Sequence, residues 1–233
     1  MKNIVIFTLL ATLLFSCAPS RFVIPLERKS HAVAAELGGP MIVYNNLSIP
    51  TPLISVTHAY GWKKNTTFHQ SLHLTSLAYG TFQYEAGLLK NLFYNEKSKI
   101  GSSYTFGANF MIDRWEWQPA VYPNLDWNFY WYLSGQGGKT CDCPTGEKQK
   151  IVFYAGLNNW LELRSTRPHG IAQEKRLLTN PQAGLIIYGR KLNWQLESKW
   201  IASSVANNNV VVDYIGYGNK GAAGVYISVF KIL

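Results

Sequence analysis

The stretch Leu192-Asn193-Trp194-Gln195-Leu196-Glu197-Ser198-Lys199-Trp200 decides the fold. Leu192, Trp194, Leu196 and Trp200 fall on one parity, and Asn193, Gln195, Glu197 and Lys199 on the other. Successive side chains of a β-strand project to opposite faces, so this segment has one apolar face and one strongly polar face. In a water-soluble sheet the polar row faces solvent. In a membrane barrel it faces the lumen, and the apolar row meets lipid.

Working outward, Asn124 to Leu133 repeats the pattern. Leu125, Trp127, Phe129, Trp131 and Leu133 oppose Asn124, Asp126 and Asn128, with Tyr130 and Tyr132 completing the inner row. Weaker versions set Phe68, Leu72 and Leu74 against His69, Ser71, His73 and Thr75, and Tyr104, Phe106 and Phe110 against Ser103, Thr105 and Asn109. With turns read at Gly, Asn and Pro clusters, strands are expected near 32–43, 53–62, 67–78, 82–93, 101–112, 121–133, 151–163, 179–189, 192–201 and 221–232. Ten antiparallel strands close a transmembrane β-barrel with both chain ends on one side; merging two of them with neighbours leaves eight.

Loop lengths agree with this topology, since such barrels carry short periplasmic turns and longer outer loops. If the first strand runs outward, three of four periplasmic connections are short and three of five outer ones long. The short turn near Tyr79 and the long segment after Ser134 are the misfits. The composition also fits: 8 Trp, 14 Tyr and 11 Phe stand beside only 15% charged residues. No second apolar run is long enough to span a bilayer as a helix. The formal charge of +9 suits anionic lipid headgroups or acidic partners, and no nucleic acid is expected.

At the N-terminus, Lys2 precedes the apolar run Ile4 to Phe15, so residues 1–16 read as a signal peptide that is removed. Leu14-Phe15-Ser16-Cys17 resembles the lipobox of bacterial lipoproteins, which implies a covalent N-terminal lipid on Cys17 and no other cofactor. Residues 17–31 are expected to be a lipidated tether, with 32–233 forming one barrel domain. The tether lacks an acidic cluster beside Cys17, which favours the periplasmic leaflet. Lipobox and strand pattern together resemble small outer-membrane β-barrel lipoproteins of Gram-negative bacteria over nearly the whole chain. No motif of that group defines an activity.

The inner rows assign Glu36, His69, His73, Glu85, Asp126, Asn128, Glu197 and Lys199 to a luminal polar network in a narrow interior, where a bare carboxylate would be costly. His69 and His73 lie about 13 Å apart along one strand, too far to share a metal, and no metal site is expected. Trp115 and Trp117 read either as an interfacial aromatic girdle or, with Tyr122, as a docking loop. Cys141 and Cys143 read as a disulfide that staples their loop, with a redox pair or half of a metal site as the alternatives. His169 with Glu162 or Asp213 is the one available base and acid set at the outer rim, without a nucleophile motif.

These features lead to a non-enzymatic outer-membrane barrel, a structural or accessory subunit of an outer-membrane assembly or secretion complex. Its expected partners are outer-membrane lipid and other proteins of that assembly. The alternatives are a surface-facing hydrolase acting on lipid or peptide, a small pore, and a water-soluble carrier of calycin type. Trp127, Phe129 and Trp131 separate the carrier from the membrane barrel, because a carrier would turn them inward.

Overall fold

A computed structural model of the chain describes residues 22–115, 117–134, 150–164, 175–207 and 214–233. The strands are β1 (His31–Tyr44), β2 (Leu47–Pro50), β3 (Leu53–Lys63), β4 (Thr66–His73), β5 (Thr81–Asn95), β6 (Ile100–Asp113), β7 (Pro119–Ser134), β8 (Lys150–Leu161), β9 (Leu177–Tyr188), β10 (Asn193–Ala206) and β11 (Lys220–Ile232). Each neighbours the next in antiparallel register, except that β3 pairs with β1 past the short β2. The ring closes where β11 pairs with β1, Ala32 opposite Ile232 through Pro40 opposite Gly224. The result is a closed barrel of ten strands, with β2 as an added flap on β1.

All ten expected strands are present, and the eight-strand alternative does not occur. Two local differences have clear causes. The fourth strand stops at His73 because Leu74–Ala78 coil into one helical turn, α1. Thr75 Oγ1 fastens that turn to the sheet, accepting from the Ile54 amide at 2.8 Å and donating to the Pro52 carbonyl at 3.2 Å. The unforeseen β2 arises because Asn45 and Asn46 adopt φ values of 48° and 63°. Two successive left-handed residues make the tight turn that matches hairpin twist, and Asn tolerates this conformation well. Met41 to Tyr44 then pairs with Leu47 to Pro50 beyond the barrel wall.

The apolar rows face outward on every barrel strand. Val33, Ile54, Leu72, Leu88, Phe106, Leu125, Leu157, Leu185, Leu196 and Ile227 are partly or fully exposed around the whole circumference. Asn193, Gln195, Glu197 and Lys199 are each at most 4% exposed, whereas Trp194 and Leu196 on the alternate parity are 44% and 45% exposed. A water-soluble monomer rarely exposes an apolar surface beyond a few hundred Å², so a continuous belt of this kind identifies hydrocarbon as its solvent. Trp127, Phe129 and Trp131 also lie on the outer face, while Tyr130 and Tyr132 are buried inside. The polarity is the reverse of a soluble carrier, and the chain is a transmembrane β-barrel.

The turns Lys64–Asn65, Glu96–Lys99 and Gly189–Leu192 lie on the side of the chain ends and are short, which marks that side as periplasmic. The N-terminal segment departs from its expected role as a tether. Phe22, Val23, Ile24 and Leu26 are no more than 6% exposed, packed inside the barrel among Ala34, Leu89, Tyr130, Val152, Ile186 and Phe230. The physical reason is composition: Phe22-Val23-Ile24-Pro25-Leu26 is an apolar run beside an opening lined by apolar and aromatic side chains.

Candidate functional site

The interior has two layers. The periplasmic half is stoppered by residues 22–26, which cross from wall to wall. The Leu26 amide donates to Thr67 Oγ1 on β4 at 2.7 Å. Val23 accepts from Ser103 Oγ on β6 at 2.5 Å. The Phe22 ring meets Phe230 on β11 edge to face at 5.5 Å. Residues Glu27 to Ser30 then turn over the rim. There the Lys29 amide donates to the Gly61 carbonyl at 2.7 Å, and the Gly61 amide to the Ser30 carbonyl at 2.9 Å. Gly61 is required at this point, because a Cβ there would collide with the Glu27 carbonyl.

The outer half is polar, and its side chains interlock across strands. Glu36 accepts from Ser55 Oγ and Thr57 Oγ1, each at 2.7 Å, and Thr57 continues to Ser71 at 2.7 Å. Glu85 accepts from Asn109 Nδ2 at 3.0 Å and lies 3.8 Å from His73 Nε2. Asn109 also accepts from Gln83, which in turn accepts from Ser76 on α1. Asp126 accepts from Asn158, Asn158 from Asn180, and Asn128 from Gln182 at 2.8 Å. Glu197 accepts from Tyr154 Oη at 2.6 Å and pairs with Lys199 at 3.3 Å, whose ammonium stands 5.7 Å from the Tyr226 ring centre. His69 fills the space left by Gly87, where a Cβ would stand 2.7 Å from Nε2.

The eight residues assigned to the lumen from parity therefore lie there, most of them joined in side-chain hydrogen bonds and ion pairs. In a low-dielectric interior each such bond strengthens its neighbours, and leaving any member unsatisfied is costly. Among the described residues, no group of three or more His, Cys, Asp or Glu side chains is arranged to hold a metal ion.

At the outer rim the structure separates residues that the sequence grouped. Trp115 and Trp117 are 57% and 70% exposed, and the Trp115 ring carries the Arg114 guanidinium at 4.2 Å. Tyr122, expected beside them in a docking loop, turns into the lumen and packs on Trp160 at 6.1 Å. Strand parity explains this correction: Tyr122 lies within β7, on the same face as Asn124 and Asn128. Glu162 accepts from the Arg164 amide at 2.8 Å, and Arg164 Nη2 donates to the Pro119 carbonyl at 2.9 Å, tying the β8 exit to the start of β7. His169 and Asp213, the other members of that acid and base set, lie outside the described residues, as do Cys17, Cys141 and Cys143.

The β1–β2 hairpin is a rim feature that parity did not reveal. It stands on the outer side with Tyr44 and Leu47 61% and 66% exposed, and among the described strands β2 pairs with β1 alone. The N-terminal plug was also missed. Its signal was legible, because Phe22 to Leu26 is more apolar than a free tether needs to be.

Fold and interior together define the class: a transmembrane β-barrel with a filled lumen. Solved structures of similar architecture include the NanC porin, at a TM-score of 0.42 and 8% identity, covering 87% of this chain and 98% of that one. A bacterial polysaccharide outer membrane secretin aligns at 0.39 and 8%, covering 89% and 99%. The translocator domain of the autotransporter NalP from Neisseria meningitidis aligns at 0.32 and 9%, covering 99% and 94%. No protein-family model matches the sequence, and none of the curated proteins does.

Proposed function

We propose that this chain is an outer-membrane barrel, held additionally by a lipid on Cys17, that serves as a structural or accessory subunit of a larger envelope assembly and works through its outer rim. The observation that carries this reading is the closed interior. With residues 22–26 stoppering the periplasmic mouth and the outer half filled by bonded side chains, the lumen is built for rigidity and not for passage.

The rim offers the complementary feature. Tyr44, Leu47, Trp115 and Trp117 project apolar and aromatic surface at the end opposite the short turns. Trp117 does so with φ at 54°, a backbone state that costs a bulky residue about 1 kcal/mol or more. Among the described residues the outer edge of β2 has no neighbouring strand, a feature that isolated barrels avoid and that a partner strand can complete.

The test is cross-linking in intact cells followed by separation in mild detergent. The expected result is a discrete species larger than the chain, lost when Tyr44→Ser and Leu47→Ser are combined, while the barrel still inserts. Recovery of the monomer alone, with and without those substitutions, would overturn the reading. Labelling with an alkyne fatty acid, abolished by Cys17→Ala, tests the anchor separately.

A further inference from the structure

On the lipid-facing wall Ala86 stands opposite Ala108, and beside them the backbone of Gly87, opposite Gly107, lies open because neither glycine carries a side chain. Bulky neighbours Trp62, Phe68, Leu88 and Phe106 stand around them, leaving a groove of about 760 Å³ with an almost wholly apolar lining. That is within the roughly 300–1,000 Å³ of ordinary small-molecule sites. The groove has a direction. Across the sheet Lys63 opposes Thr66, Thr66 opposes Lys90, and Lys90 opposes Tyr104, which opposes Trp127. Lys63 stands at the periplasmic turn of β3, whereas Trp127 is well inside β7. The rows of side chains therefore climb from the periplasmic rim toward the middle of the wall, and the groove climbs with them from Trp62 to Pro123.

Its lower end is cationic. The Lys63 ammonium is held over the Trp62 ring at 4.5 Å, at the lip of the groove. Lys64 is exposed in the adjoining turn, and Lys90 is exposed on the outer face two strands away, about 10 Å at normal strand spacing. None of the three has a carboxylate partner in the ion pairs between described residues. Two or three cations at the headgroup level, at the foot of an apolar channel that rises into hydrocarbon, match one ligand chemistry: a phosphate with an acyl chain attached.

We infer that the outer wall between β3 and β7 is a binding site for an anionic phospholipid of the periplasmic leaflet. Its phosphate lies among Lys63, Lys64 and Lys90, and one acyl chain lies along Ala86 and Ala108. The site rests on the reading of the chain as a membrane barrel. It goes beyond that reading, because general solvation by lipid requires neither a groove nor a cation cluster placed at its foot.

The test uses the full chain in phosphatidylcholine nanodiscs with and without phosphatidylglycerol, with native mass spectrometry to read which lipid stays bound. Wild type retains phosphatidylglycerol over phosphatidylcholine. Lys63→Gln with Lys90→Gln lowers that preference roughly thirtyfold, since each juxtamembrane cation contributes about one such surface attraction. Ala108→Phe, which fills the groove without altering a charge, removes retention as well. A nitroxide on Leu196→Cys, on the opposite wall, reports whether the barrel sits in lipid. No preference in wild type, or undiminished preference in both variants, with the nitroxide still in hydrocarbon, overturns the site and leaves the membrane reading intact. A nitroxide exposed to water overturns both.

Discussion

Shortening Leu26 to alanine should release the N-terminal stopper and leave the barrel standing. The four buried side chains of residues 22–26 contribute about 2 kcal/mol each on burial. Their two cross-wall hydrogen bonds add about 1 kcal/mol apiece. Ordering five residues opposes this by about 1.5 kcal/mol per residue. The net hold is about 3 kcal/mol, which protects the segment roughly a hundredfold against opening. Leu26 is fully buried, and a Leu→Ala change at such a site costs about 3 kcal/mol, the whole of that hold. Hydrogen exchange followed by mass spectrometry on peptides spanning 22–30 measures it directly. In wild type those amides, including the Leu26 N–H that donates to Thr67, should exchange about a hundredfold slower than free chain. In Leu26→Ala the protection should fall below about tenfold while β6 to β11 stay unchanged, and Leu26→Met should restore most of it. Unaltered protection in Leu26→Ala, or free exchange of the segment in wild type, would refute the reasoning.

Two substitutions on neighbouring residues of β10 should fail for opposite reasons. Glu197→Gln removes the carboxylate that pairs with buried Lys199 and accepts from Tyr154, and breaking one side of a buried pair costs about 3–5 kcal/mol; the urea midpoint of the refolded barrel should drop accordingly. Leu196→Arg places a charge on the lipid face, which costs about 2–4 kcal/mol near the bilayer centre, and should show the same loss in lipid vesicles. If Leu196→Arg were neutral, Leu196 would face water and the solvent assignment would be wrong.

The number and order of the strands were legible in the sequence because a barrel wall imposes a period of two on every segment. The lipid face tolerates no charge for more than a residue or so. Trp194 and Glu197 could not exchange faces without placing a carboxylate in hydrocarbon, so local parity alone set their directions, and the luminal residues from Glu36 to Lys199 followed from the same constraint. What parity cannot encode is anything set by contact across the lumen or around the circumference. The plug depends on Phe22 meeting Phe230 and on Ser103 reaching Val23, contacts between residues far apart in the chain. Tyr122 was misplaced because a rim residue reads equally well as the end of a strand or the start of a loop, and only the register of β7 against β6 and β8 decides. The groove exists because β5 and β6 bring Ala86 opposite Ala108, and the cations stand at its foot because the strands tilt. A sequence determines which face each side chain takes; closure of the sheet decides which side chains share a space, since register and shear are properties of the ring and not of any one strand.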